Sequence, residues 1–395
     1  MSDPDALGRL RAMILTDEAL ADRLALTEDR DAFAAAAAEA GHSGGIKITA
    51  EAILASSKRD PLGIERFTGQ QVTTVDWPGR NWLPAALVPA PGQLAIDWVH
   101  FGDAPLRESF FEDSLRCARR RPINALSKVC TPLDILAKPA PADATAAPDG
   151  LIFHMSRCGS TLVSQMLAAM PGGIVVSEAP PLDAIVQMTH SHPEAPLDQR
   201  VALLRGMAAA LGRDRFGNRR HYVIKTDSWH SLALPLFRAA FPDTPWVFLF
   251  RDPIEVMVSQ MGMRGSQTVP GTELDAVFAI PDPHSLSTED HIARVLNRVT
   301  QAAVDHAEIG GGLFVDYAEL PYAVERRILP HFGIEANPEG LAAMHAAATW
   351  DAKTPSFAFA PDSDDQRRTV GDAIRAATAA HLDGMHHQLT ALAAR

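Results

Sequence analysis

The chain has 395 residues, 47% of them hydrophobic, with a formal net charge of −12 and three cysteines. That length allows two or three domains, and the acid excess argues against broad nucleic-acid binding. Cys117, Cys130 and Cys158 show no metal-type spacing, which argues against a disulfide framework and suits a reducing cytoplasm.

No uninterrupted apolar run approaches the roughly 20 residues that a membrane-spanning helix needs. The opening "MSDPDALGRLRAMIL" puts acids ahead of its apolar residues and has no cleavable hydrophobic core, so a cytoplasmic protein is expected. Residues 1–56 read as helical, because Leu7, Leu10, Ile14, Leu20 and Leu24 recur at steps of three and four. Thr16, Thr27 and Thr49 are the expected N-caps. Residues 57–137 form an accessory α+β region with short apolar stretches such as "QLAIDWVHF" and a helix "ESFFEDSLRCARRRPIN" running into a basic loop. The run Arg119, Arg120, Arg121 reads as a solvated basic face. "KPAPADATAAPD" (138–149) is rich in Pro, Ala and Asp and reads as an extended linker marking a domain boundary.

From 150 to 395 the pattern alternates between strand and helix. "GLIFHM", "GIVVSE", "HYVIKT", "WVFLFR" and "GGLFVDY" are short apolar strands, separated by helices such as "STLVSQMLAAM", "SLALPLFRAAF" and "PIEVMVSQM". Such a series predicts an α/β fold with a central, mainly parallel sheet covered on both faces. Ligands in such sheets bind beyond the carboxyl ends of the strands. Arg157, Glu178, Lys225 and Arg251 each fall at or just after a predicted strand.

The loop in "FHMSRCGSTLVSQML" (153–167) departs from the G-x-x-x-x-G-K-[ST] nucleotide loop. Aligned on Gly159 and Thr161, it has His154 for the first Gly and Ser160 for the Lys, and Arg157 precedes Gly159. Backbone N–H groups at the helix start, the hydroxyls of Ser160 and Thr161 and the guanidinium of Arg157 suit a phosphate or sulfate group. Nothing beside Thr161 suits Mg²⁺-ATP. In "VFLFRDPIEVMVSQM", Arg251 closes a strand and Ser259 follows eight residues later on a helix, where both can meet a second phosphate.

Together, "FHMSRCGSTL" and "FRDPIEVMVS", about ninety residues apart, resemble the 5′-phosphosulfate and 3′-phosphate motifs of the sulfotransferase family. The layout is most similar to the tyrosylprotein-type branch. The resemblance covers about 150–335 and implies a P-loop-like three-layer α/β/α fold. It also implies 3′-phosphoadenosine-5′-phosphosulfate (PAPS) as donor and 3′-phosphoadenosine-5′-phosphate (PAP) as product, with no metal. By that resemblance Arg157, Cys158, Gly159, Ser160, Thr161 and Leu162 hold the 5′ end, and Arg251 and Ser259 hold the 3′-phosphate.

The same branch places a base at the offset of Glu178, whose pKa desolvation is expected to raise. His230 and His154 are the alternative bases. Lys225 in "YVIKTD" is similar to the family's strand-end Lys and is expected to stabilise charge on the bridging oxygen, as Arg157 is. Asp227 stands where the family commonly has Pro. "FVDYAEL" resembles the stretch whose Tyr, here Tyr317, lies near the adenine, although Asp316 replaces the usual Arg or His. Lys353 in "DAKTPSFAFAP" is the candidate for a further cofactor contact. Residues 1–56 also resemble the leader domain of nitrogen-fixation-type ribosomal peptides. The expected acceptor is therefore a small molecule or a peptide, taken through a hydroxyl or amine. Two other functions fit the sequence: an inactive nucleotide- or peptide-binding protein on this fold, and an ATP-dependent kinase.

Overall fold

The computed structural model describes residues 5–57, 72–144, 147–272, 274–349 and 370–395. The chain divides into two compact units. One comprises Met1–Ala146, Ala179–Ile185 and Ala202–Asn218; the other comprises Ala147–Glu178, Val186–Val201 and Arg219–Arg395. No helix among the described residues is long and apolar enough to cross a membrane.

The first unit begins with helices Ala6–Thr16, Glu18–Ala25, Arg30–Ser43 and Ala50–Ser56. Leu10, Ile14, Leu20 and Leu24 are buried, which satisfies the three- and four-residue spacing. Thr49 does cap its helix, accepting from the Ala52 N–H. The other two caps are aspartates one or two residues beyond the expected threonines. Asp17 accepts from Leu20 N–H and Asp29 from Ala32 N–H, and a carboxylate there also complements the helix dipole. Thr16 instead turns its hydroxyl back onto Ala12 O.

A four-stranded sheet follows, in the order β1-β4-β3-β2. Its strands are β1 (Val72–Thr73), β2 (Trp82–Ala90), β3 (Gln93–His100) and β4 (Val129–Pro132). β2 and β3 form an antiparallel hairpin closed at Ala90↔Gln93. The expected basic loop after helix Phe111–Ala118 is partly paired and partly helical. Arg119 lies 3.8 Å from Asp97, Arg121 binds Asp103 and Ala25 O, and Pro122 starts a second helix, Pro122–Leu126. The segment read as an extended linker is likewise anchored within this unit: Asp143 pairs with the buried Arg213 at 2.6 Å, and Lys138 donates to Val75 O.

The second unit is built on five parallel strands in the order β6-β7-β5-β8-β9. These are β5 (Gly150–His154), β6 (Gly173–Ser177), β7 (His221–Lys225), β8 (Trp246–Phe250) and β9 (Gly312–Asp316). Every residue of β5, β7 and β8 is buried, as a parallel sheet covered on both faces requires. Phe153, Phe237, Trp246, Phe248 and Phe314 meet edge to face or tilted at 5.4–6.1 Å and fill this core. Each such side chain contributes about 1.5–3 kcal/mol on burial. Helices Asp372–His381 and Asp383–Ala393 close the unit against helix Thr288–Asp305. This α/β architecture is the expected one. β5 is central, and the chain leaves it first for β6 and β7 on one side, then for β8 and β9 on the other. The carboxyl end of β5 is therefore the switch point where such sheets form a ligand crevice.

Candidate functional site

The loop after β5 lies at that switch point and has an unusual backbone. Ser156, Arg157 and Gly159 have φ of +76°, +53° and +81°. Non-glycine residues held there cost about 1–3 kcal/mol each and cluster where function demands them. At Gly159 there is no alternative to glycine. A Cβ would stand 2.7 Å from Leu320 Cδ1 and 2.8 Å from Tyr317 Cδ2. Gly159 is also the N-cap of helix Ser160–Ala169, and no side chain caps that helix start. A helix N-terminus of this kind attracts anions.

Beside this loop stands a compact charged cluster. Register pairs Ser177 of β6 with Lys225 of β7, and Glu178 N–H extends the ladder by donating to Lys225 O at 2.8 Å. Glu178 itself takes φ +48°, which turns its side chain at the strand end. Lys225 is fully buried; its Nζ lies 2.6 Å from Glu178 Oε1 and donates to Thr161 Oγ1 at 3.3 Å. One ammonium thus touches both the candidate base and the first turn of the loop helix.

Burial alone pushes the Glu178 carboxyl up, but Lys225 first, and His154 after it, more than offset this and hold it well below the usual carboxylate range. The direction is opposite to the one expected from desolvation. The reason is the ammonium in contact with the carboxylate, which favours the charged form.

His154 ends β5 and contributes structure to this cluster. Its Nδ1 accepts from Ser156 N–H at 3.1 Å, so Nε2 carries the proton and donates to Thr226 O at 3.0 Å, with Glu178 Oε1 3.5 Å away. Burial lowers its pKa, and the imidazole is held neutral. His230 lies fully buried in the turn Ser228–Ala233, its ring 4.6 Å from Trp229 and 5.9 Å from Phe237. Its Nε2 is 4.0 Å from Asp227 Oδ2. Neither histidine is presented as Glu178 is.

The second cluster follows β8. Arg251 Nε lies 2.7 Å from Glu255 Oε2, one helical turn on, and both are buried. The Arg251 guanidinium also lies 4.1 Å over the ring of Tyr317, a favourable cation–π contact. The same ring bears on Gly159, so Tyr317 stands between the loop and Arg251. Asp316, the departure from the expected Arg or His, has a local role. It caps the turn Tyr317–Glu319 by accepting from Ala318 N–H, while Glu319 accepts from Asp316 N–H and pairs with Arg327.

Helix Pro253–Gly262 starts under the Asp252 cap and carries Ser259, half-buried, in its last turn. Arg157 donates to Met263 O, just beyond the end of that helix. Burial lowers the Arg157 pKa, with the Glu178 carboxylate acting the other way.

Cys158 is buried, donates to Leu249 O and is pushed up to about 12, chiefly by burial, so it serves the loop as an inert small residue. Ser160, Thr161 and Leu162 line the buried first turn of the helix. Lys353 lies outside the described residues. The sequence reading missed Glu255, although the i, i+4 spacing in "RDPIE" signals it, and Gln260, for which the sequence holds no signal.

The fold is a P-loop-like α/β domain whose strand-loop-helix turn lies at the carboxyl end of the central strand. Residues 151–338 match the model of the sulfotransferase family. That stretch, just under half of the chain, is a sulfotransferase-family domain.

Solved structures similar to it include sulfotransferase STF9 from Mycobacterium avium, at 15% identity and TM-score 0.37, covering 61% of this chain and 78% of that one. The sulfotransferase domain from the curacin biosynthetic pathway is 15% identical with TM-score 0.38, covering 60% of this chain and 98% of that one. A sulfotransferase from Alicyclobacillus acidocaldarius is 13% identical with TM-score 0.37, covering 64% and 97%. No curated protein matches the chain.

Proposed function

We propose that the protein transfers a sulfuryl group from PAPS to a hydroxyl or amine of a small molecule or peptide, with Glu178 as base. The observation that carries this is the Lys225 ammonium, in contact with Glu178 on one side and Thr161 of the loop on the other. In a chain of net charge −12, three cations gather at this loop: Arg157, Lys225 and Arg251. The uncapped helix start and this donor set suit the 5′-phosphosulfate. Arg251, steadied by Glu255 and Tyr317, and Ser259 suit a 3′-phosphate.

The bound donor supplies an activated sulfuryl group on a phosphate leaving group. Glu178, already ionised, accepts the proton of the acceptor as the acceptor oxygen or nitrogen bonds to sulfur. The electron pair of the broken S–O bond passes to the phosphate oxygen. Lys225 and Arg157 stabilise the charge gathering there. Cytoplasmic location and independence of metal belong to the same proposal.

Sulfuryl transfer to a panel of phenols, alcohols and amines tests it. Glu178→Gln and Arg157→Ala should each abolish transfer. Wild-type protein that binds no PAP would contradict the donor assignment.

A further inference from the structure

Gln260 occupies the last turn of helix Pro253–Gly262 and is fully buried. Both ends of its amide are engaged. Oε1 accepts from Gly265 N–H at 2.8 Å, which fixes the orientation of the group, and Nε2 donates to Ser156 Oγ at 3.0 Å. Ser156 opens the strained loop, and the next residue, Arg157, donates to Met263 O. Two consecutive loop residues are therefore tied to the end of one helix and the turn that follows it. Ser259 precedes Gln260 on that helix.

We propose that Gln260 is a positioning residue that locks the donor loop to the helix carrying Ser259, and so sets the span between the two anion sites. This rests on the functional reading above, in which the loop takes the 5′ end of the nucleotide and Arg251 with Ser259 takes the 3′-phosphate. Glutamine suits the task because one side chain offers a donor and an acceptor together. An apolar residue of the same size would leave the buried Ser156 hydroxyl and the part-buried Gly265 N–H without these partners. A ligand charged at both ends gains from a fixed span, since its second end binds at an effective concentration set by that span. A ligand charged at one end gains nothing from it.

The test compares Gln260→Met, close in shape but without the amide, and Ser156→Ala with the wild type. Calorimetry measures PAP, charged at both ends, against adenosine 5′-phosphate, charged at one. PAP should bind about tenfold more weakly to each variant while adenosine 5′-phosphate changes less than about twofold. The double variant should lose little more than either single one, because both remove the same link. Hydrogen exchange should quicken in peptides covering 155–159 and 263–265 and stay unchanged in those covering β7 and β8.

Equal losses for both ligands, or unchanged exchange in the loop, would overturn the proposal and leave Gln260 a packing residue. If the wild type shows no preference for PAP, the functional reading fails on its own. The loop exchange then decides whether Gln260 is the lock: quickened exchange supports it and unchanged exchange refutes it.

Discussion

Lys225 Nζ lies 2.6 Å from Glu178 Oε1, joining the end of β7 to the residue that follows β6. Lys225 is fully buried and Glu178 part-exposed, so removing the carboxylate leaves a buried ammonium uncompensated, at up to about 3–5 kcal/mol. Glu178→Gln should therefore lose stability of that order, read by denaturant unfolding, and lose at least about a hundredfold in kcat. Adding Lys225→Met should recover most of the stability and none of the activity. A single variant as stable as the wild type would refute the coupling.

The pH dependence follows from the same pair. Glu178 is held below its ordinary value of 4.5, so it stays ionised through neutrality. The kcat/KM profile should show no acid limb from Glu178 above about pH 5. In Lys225→Met the push of burial loses its main opponent, and an acid limb should move up into the measured range. For stability the sign is fixed as well. The depressed pKa of Glu178 stabilises the fold above 4.5, and that stabilisation is lost as pH falls through the folded value. His154, kept neutral by burial, also costs stability as pH falls below its ordinary 6.5, because the unfolded chain then binds the extra proton. Unfolding free energies measured across acidic pH check both.

Gly159→Ala should be damaging beyond its size. The new methyl would stand within 2.8 Å of Tyr317 and Leu320, and φ of +81° disfavours any side chain. A stability loss of about 1–3 kcal/mol is expected, together with loss of PAP binding. Tyr317→Ala in the same chain should relieve only the collision with the ring, leaving Leu320 and the positive φ, so recovery stays partial.

The cysteines should separate by exposure. Cys158 and Cys130 are both pushed up to about 12, chiefly by burial, whereas Cys117 is exposed. Alkylation of native protein followed by mass spectrometry should modify Cys117 and spare the other two until the protein unfolds.

Much of the second unit was legible because its signals are local. Apolar runs such as "WVFLF" admit one reading when they alternate with helices, and all five strands fall where those runs predicted. The two motifs, resembling those of a known family, located Arg157 and Arg251, and the ends of the runs "GIVVSE" and "HYVIKT" located Glu178 and Lys225. What stayed hidden depends on contacts across the fold. The direction of the Glu178 shift needs the distance to Lys225, 47 positions away in sequence. The role of Gln260 needs Ser156 opposite it. In the first unit, threonine and aspartate compete as caps within one or two residues, and sequence alone favoured the wrong one at Thr16 and Thr27. The anchoring of Asp143 by Arg213 cannot be read from a stretch whose composition resembles a free linker.

Calorimetry of the wild-type protein with PAP, and separately with ADP and Mg²⁺-ATP, tests the central claim most directly. A 3′-phosphate met by Arg251 and Ser259 predicts that PAP binds tightest, and that Arg251→Ala removes the preference. Equal or tighter binding of Mg²⁺-ATP, with Arg251→Ala without effect, would contradict it and favour a kinase.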